Sequence, residues 1–235
     1  MIEGTARVVA CLPAYNEEKT IADVLVKTSA HVNELVVIDD GSEDTTGIIA
    51  ENLGALVIRH DRNLGKGVAL RSCFDLAKKR GCDVLLTLDA DGQHDPEEIP
   101  RLIRPVQTGE VDIVIGSRTK GRKAAKSMDF ITLASNRVVS YLLSARYGGN
   151  FTDVQTGFRA FSRTAVDRML PHLRATRFEI ELEIFCKAKL LGLVLKEVPV
   201  GFRGRAGGQT KFTLFLRMRN LYFAFKYILS VRPLA

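Results

Sequence analysis

Short apolar runs recur along the first half of the chain, each closed by a polar or glycine-bearing turn and followed by a stretch with helical spacing. Their lengths predict strands over 7–12, 34–38, 55–59, 84–88 and 111–115, since a run of four to eight apolar residues fits a strand buried on both faces. Between them, Ile21, Val24, Leu25 and Thr28 keep the three-and-four spacing of a surface helix. Glu17 and Glu18 are expected in the first turn of that helix, where carboxylates suit its dipole. Helices are also predicted over 44–52 and 68–79, with Gly54 and Gly81 as their stops. Asp95-Pro96-Glu97-Glu98 reads as an N-cap, a first-turn proline and acidic first-turn residues. Regular alternation from residue 7 to 118 predicts an α/β fold, a doubly wound and mostly parallel sheet with helices on its faces.

Beyond Arg118 the texture changes. Lys120, Arg122, Lys123 and Lys126 make a basic loop, followed by an apolar-rich helix over 130–147 that Gly148-Gly149 ends. A strand-like run spans 153–161, helices cover 165–173 and 178–191, and a last strand covers 193–200. A glycine- and cation-rich loop over 203–211 precedes a terminal helix over 212–229. In that helix Phe212, Phe215, Leu216, Leu221, Phe223, Phe225 and Ile228 are interrupted by Arg217, Arg219 and Lys226. These charges exclude a transmembrane span. Two readings stay open: an interfacial helix with cations at lipid headgroups, or a helix packed on this domain or a second subunit.

Composition narrows the class. An apolar content of 46% over 235 residues suits one globular α/β domain with or without an appendage, and argues against disorder. Cys11, Cys73, Cys82 and Cys186 form no C-x-x-C pair and read as small core hydrophobes in a reducing compartment. Residues 1–7 are polar and lead directly into a strand, so no signal peptide is expected, and no apolar run is long enough to span a bilayer. The net charge of +7 points to an anionic partner without choosing between nucleotide, lipid phosphate, membrane surface and nucleic acid.

The candidate chemistry sits where the strands end. Asp89-Ala90-Asp91-Gly92-Gln93 follows the run 84–88, Asp39-Asp40-Gly41-Ser42 follows the second strand, and Glu17 lies near the first. In open α/β sheets ligands bind beyond the carboxyl ends of the strands, so these groups can converge on one ligand. Carboxylates at i and i+2 can hold Mg²⁺ or Mn²⁺ while the ion keeps sites for water and phosphate oxygens. Each site alone is easily a solvated acidic turn or a cap; three at one sheet edge are much harder to ascribe to chance. Asn63-x-Gly65-Lys66-Gly67 lacks the frame of a P-loop.

Pro13-Ala14-Tyr15-Asn16-Glu17, Asp39-Asp40-Gly41-Ser42, Asn63-x-Gly65-Lys66-Gly67 and Asp89-Ala90-Asp91-Gly92-Gln93 occur in order. Together they resemble the inverting, GT-A-fold family 2 glycosyltransferases, specifically the dolichol-phosphate mannose synthase branch. The resemblance implies that Pro13, Tyr15, Glu17, Asp39, Asp40 and Lys66 serve the sugar nucleotide. It implies that Asp89, Asp91 and Gln93 hold the metal and through it the diphosphate. Arg118, in Gly116-Ser117-Arg118, would contact phosphate. Asp153 to Arg159 is similar to D-x-T-S-G-F-R, and Phe178 to Glu181 to F-Q-x-E. Phe202-x-x-Arg205-x-x-Gly208-x-Thr210-Lys211 resembles a phosphate-closing loop. Gln155 and Thr156 replace the usual threonine and serine, Glu179 the usual glutamine, and Thr210 the usual serine. An arginine common in the branch is here Leu133, with Arg137 taking over its role, so that Ser135, Asn136, Arg137, Arg118, Arg205 and Lys211 would receive the acceptor phosphate.

The implied reaction moves a hexose, mannose from GDP-mannose before glucose from UDP-glucose, onto dolichyl or another polyprenyl phosphate. A phosphate nucleophile is already ionised near neutrality and needs no strong general base, in keeping with the lack of a histidine in a convincing catalytic context. His94 beside the metal motif could bind a ligand, whereas His31, His60 and His172 read as solvent-facing or interelement residues. Asp91, Arg118, Arg205 and Lys211 are the expected catalytic group, the loss of one such contact raising the barrier by on the order of 2–4 kcal/mol. Residues 1–211 would form the catalytic domain, with 118–150 as acceptor loop and interfacial helix, and 212–235 a membrane-interface helix at the cytoplasmic face. A family 2 enzyme with a soluble acceptor is the runner-up. A non-catalytic basic domain that binds membranes or nucleic acid is the alternative of another class; no nucleic-acid partner is expected.

Overall fold

A computed structural model describes residues 6–120 and 130–204, together with Tyr222, Phe223, Phe225 and Lys226. Arg205, Lys211, most of the basic loop and most of the terminal segment lie outside the described residues. The first half runs β1 (Val8–Ala14), α1 (Ile21–Ser29), β2 (Glu34–Asp39), α2 (Thr46–Asn52), β3 (Leu56–Arg59), α3 (Lys66–Arg80), β4 (Val84–Thr87), α4 (Ile99–Gln107) and β5 (Ile113–Ser117). The second half runs α5 (Phe130–Tyr147), β6 (Arg159–Ser162), α6 (Arg163–Met169), α7 (Ile180–Leu190) and β7 (Leu195–Pro199). Seven strands form one sheet in the order β3-β2-β1-β4-β6-β5-β7.

Alternation along the strands divides the core. In β1, Val8, Ala10, Leu12 and Ala14 pack with Val24 and Leu25 of α1 and Leu102 of α4 on one face. Val9 and Cys11 pack with Leu70, Cys73 and Phe74 of α3 on the other. This period of two explains why the strand reads as continuously apolar: both faces are covered. All four cysteines are free and buried.

Three expectations change in detail. The strand-like run 153–161 is mostly loop. Only Arg159–Ser162 pairs, antiparallel to both β4 and β5, so it wedges between two strands that the alternation alone would place side by side. Glu17 and Glu18 precede α1 instead of lying in its first turn. The Glu17 carbonyl accepts from Thr20 and Ile21, and the Glu18 carboxylate accepts from the Thr45 amide and hydroxyl. The helix predicted over 165–173 stops at Met169 and continues as a tighter turn over Leu170–His172, where Pro171 brings no N–H. Ser162 caps α6 by accepting from the Ala165 amide at 3.1 Å.

Candidate active site

The carboxyl ends of β1, β2 and β4 open on one edge, with Ala14 level with Asp39 and Cys11 level with Thr87. Between β1 and α1 the chain turns through Asn16, at φ 53° the one non-glycine residue with positive φ among those described. The turn is held from one side: the Asn16 amide donates to Ser42 Oγ at 3.0 Å and the Glu17 amide to Thr46 Oγ1 at 2.8 Å. From the other side Thr20 Oγ1 donates to the Ala90 carbonyl at 2.8 Å, tying this loop to the D-x-D segment. Pro13, Tyr15 and Glu17 are partly buried in this stretch, which is tied to the segments following both β2 and β4.

The two neighbouring aspartates have different tasks. Asp39 is fully buried; its Oδ1 accepts from the Ser42 amide at 2.8 Å, while Oδ2 has no hydrogen-bond partner and lies 3.6 Å from Arg59 Nη1. A buried carboxylate oxygen without a donor is costly, and a base or ribose N–H or O–H would relieve it. Asp40 is spent within the protein. It accepts from the Leu64 and Gly65 amides at 3.0 and 2.8 Å and pairs with His60 Nδ1 at 2.7 Å. Asp40 thus fixes the loop that opens α3 and gives His60 its interelement role.

Lys66, the first residue of α3, points its ammonium 2.7 Å from Asp89 Oδ1 and 3.1 Å from Glu181 Oε1. Arg159 lies 3.3 Å from the other Glu181 oxygen and donates to the Val154, Thr156 and Glu181 carbonyls. Burial alone would lower the Lys66 pKa, but Asp89 and Glu181 outweigh it and hold it above the ordinary lysine value. Burial likewise opposes ionisation of Asp89, and Lys66 reverses this and keeps the carboxyl below the usual range. Gly157 presses on the same carboxylate: a Cβ there would lie 2.6 Å from Asp89 Oδ2.

Past Asp89 the chain turns through Asp91, whose Oδ1 accepts from the Gln93 amide at 3.1 Å. The next residues are strapped to 202–203. His94 bridges Phe202, the Arg203 amide donates to the Gln93 carbonyl at 2.8 Å, and the Arg203 guanidinium meets Asp95 at 2.6 Å. His94 is buried between the rings of Phe158 and Phe202, at 5.1 and 5.4 Å. Burial first and the nearby Arg118 second push its imidazole down to about 3, so it is neutral. Among the described residues no three His, Cys, Asp or Glu side chains are grouped to cage a metal. The donors on this rim are hard oxygens, two carboxylates and the Gln93 amide, and they fit a Mg²⁺- or Mn²⁺-type ion that completes its coordination with phosphate and water.

Arg118 is locked side-on to Asp153, Nε to Oδ2 at 2.7 Å and Nη2 to Oδ1 at 2.9 Å, and its own amide donates to Oδ2. Its face stacks on Phe202 with the guanidinium carbon 5.2 Å from the ring centre. Asn136 is buried and donates to Asp153 Oδ1 at 2.8 Å, and Ser135 Oγ donates back to the Thr132 carbonyl. Glu197 holds this segment by accepting from the Thr152 and Asp153 amides at 2.8 and 2.7 Å. Burial raises the Glu197 pKa against those two bonds. Of the three neighbours expected on the acceptor phosphate, Ser135 and Asn136 are engaged internally. Arg137 is exposed and lines a cavity of about 370 Å³ with Thr119, Tyr141, Ser144 and Thr152.

Glu181, Arg159, Asp153, Glu197 and Gly157 hold the site together, yet composition and spacing assign them nothing. The stretches 153–159 and 178–181 stand out in the sequence only as motifs and Glu197 only as part of a predicted strand; which charges they meet depends on tertiary pairing.

Residues 9–170 match the model of the Glycosyl transferase family 2 domain. The chain is 34% identical, over 80% of its length and 82% of the relative, to a UDP-N-acetylglucosamine–dolichyl-phosphate N-acetylglucosaminyltransferase of Methanococcus voltae. It is 31% identical to an undecaprenyl-phosphate mannosyltransferase of Micrococcus luteus, over 88% of each chain. Among solved structures, glucosyl-3-phosphoglycerate synthase of Mycobacterium tuberculosis with Mn²⁺, UDP-glucose and phosphoglyceric acid superposes with a TM-score of 0.74. That match has 26% identity and covers 95% of this chain and 80% of that one.

Proposed function

The chain belongs to glycosyl transferase family 2, and from that premise we propose that it transfers a hexose from a sugar nucleotide to a polyprenyl phosphate, with inversion. The observation that carries the proposal is the strand-end rim itself. The Ala90 carbonyl between Asp89 and Asp91 accepts from Thr20 of the loop that follows β1, Lys66 pairs with Asp89, and Arg118 is close enough to act electrostatically on Asp89. A diphosphate and a phosphate nucleophile repel each other, and such a rim supplies charge of the opposite sign on both sides of the bond that breaks.

Asp39 accepts from the base or ribose, and Tyr15 and Glu17 border the same pocket. Asp91, with Asp89 and Gln93, would hold the divalent ion, which when bound supplies Lewis-acid charge to the departing diphosphate. Arg118, its orientation fixed by Asp153 and Phe202, presents its remaining N–H edge to phosphate. The acceptor oxyanion attacks the anomeric carbon, and the bond to the nucleoside diphosphate breaks on the opposite face. Arg205 and Lys211 belong to this proposal on the strength of the family motif.

The names of the relatives divide between UDP-N-acetylglucosamine and mannosyl transfer. The proposed donor is GDP-mannose, with UDP-linked sugars as its competitors. Contact with a membrane surface is supported by exposed Ile131, Val138 and Tyr141 on α5 and by exposed Tyr222 and Phe225. Phe223 packs instead against the core. Among the described residues no helix is long and apolar enough to cross a membrane. A peripheral position on the cytoplasmic face follows from the reading.

The test offers labelled GDP-mannose, UDP-glucose and UDP-N-acetylglucosamine with Mg²⁺ or Mn²⁺ and either polyprenyl phosphate or 3-phosphoglycerate. Organic-extractable label is expected with polyprenyl phosphate only, and Asp91→Asn should abolish it while leaving the melting temperature unchanged. Label passing only to the soluble acceptor, or none with any donor, would overturn the proposal. Salt-sensitive polyanion binding indifferent to Asp91→Asn would favour the non-catalytic alternative.

A further inference from the structure

We propose that Lys66 is a resident counter-cation that competes with the divalent ion for Asp89, so that the site takes up metal together with a nucleoside diphosphate and poorly without one. This inference rests on the reading of Asp89 and Asp91 as the metal-side carboxylates.

The backbone puts Lys66 there with little freedom. The Gly67 amide donates to the Thr176 carbonyl at 3.0 Å, and a Cβ on Gly65 or Gly67 would come within 2.4 Å of the Thr176 or Ala175 carbonyl oxygen. Glycine on either side lets the start of α3 press directly on the segment before α7. That segment is anchored by Glu183, which accepts from the Arg174 and Ala175 amides at 2.8 Å each. The Lys66 side chain, 15% exposed, then spans from Asp89 to Glu181.

Two anions, Asp89 and Glu181, face two cations, Lys66 and Arg159, and their formal charges cancel. A bare divalent ion approaching Asp89 therefore meets a carboxylate whose charge is already balanced, with an ammonium 2.7 Å from it. The repulsion between that ammonium and a divalent ion a few Å away weakens metal binding to the free protein. A diphosphate reverses the balance: its oxygens attract the ion and the ammonium alike, and Lys66 can then face Asp89 and phosphate together. Lys66 is thereby a positioning residue that couples the two ligands, a reciprocal coupling by linkage.

The sign of the effect separates this role from a structural one. Mn²⁺ alone is titrated into the full chain and followed by calorimetry and by electron paramagnetic resonance. UDP and GDP are then titrated without metal. Lys66→Met and Lys66→Gln should bind Mn²⁺ about tenfold or more tighter than the wild type and bind both nucleotides more weakly. Lys66→Arg should stay near the wild type in both. A residue that merely braces the fold would instead lose Mn²⁺ on substitution, so unchanged or weaker Mn²⁺ binding in Lys66→Met and Lys66→Gln overturns the proposal. Asp91→Asn is the separate control. If it binds Mn²⁺ as the wild type does, the metal reading fails and takes this inference with it; if it loses Mn²⁺, the Lys66 variants decide alone.

Discussion

Gly157→Ala should damage activity far more than stability. An ideal Cβ at position 157 would stand 2.6 Å from Asp89 Oδ2, 2.8 Å from Oδ1 and 2.9 Å from Cγ, where ordinary contact begins near 3.4 Å. The carboxylate must therefore retreat by about 0.8 Å (the difference between those contacts), and its 2.7 Å pair with Lys66 cannot survive such a move unaltered. Because the obstruction is the end of a side chain, rotation of Asp89 relieves most of the strain, and the thermodynamic cost should stay near the low end of the roughly 1–3 kcal/mol seen for overpacking. With Asp89 on the diphosphate side as proposed, displacing its charge by close to 1 Å should cost on the order of a hundredfold in rate. Turnover with saturating donor, beside a urea or thermal melt, measures both quantities. Gly67→Ala is the matched contrast: its Cβ would meet the Ala175 carbonyl oxygen at 2.4 Å, a backbone atom that cannot swing aside, so there the melt should fall first. Wild-type turnover in Gly157→Ala would refute the assignment of Asp89 to a position that matters for chemistry.

Asp153→Asn leaves Arg118 buried without its anion and should destabilise the fold by about 3–5 kcal/mol, read from a urea melt. Burial opposes ionisation of Asp153, but the guanidinium and amide of Arg118 hold its carboxyl below the usual range. A depressed folded-state pKa contributes stability that is present above the unfolded value of about 3.9 and is lost as pH falls through the folded one. The wild type should therefore lose this stability below about pH 4, and the acid limb of Asp153→Asn should be shallower; identical limbs would count against the pair. Asp40→Asn removes an anion that receives two amides and His60, and should cost about 1–3 kcal/mol. A melt within about 0.5 kcal/mol of wild type, the range of an ordinary surface change, would show that Asp40 does not hold the start of α3.

The sequence by itself determined the alternation of strands and helices, the edge on which the carboxylates gather, and the family. The period of apolar residues, a proline after a cap or a glycine after a helix is a local property that a linear reading captures. That Asp39 keeps one buried carboxylate oxygen without a hydrogen-bond partner is visible only in the folded chain. Only the tertiary structure decided which charges are spent. It gave Asp40 to the loop before α3, Asn136 and Arg118 to Asp153, and Lys66 to Asp89 and Glu181. It also placed β6 antiparallel between β4 and β5, carrying Arg159 from the strand's first position into the site. The physical reason is the same throughout. A carboxylate's role depends on which donors reach it in space, and here Arg118 and Asp153, which meet at 2.7 Å, stand 35 positions apart in the chain.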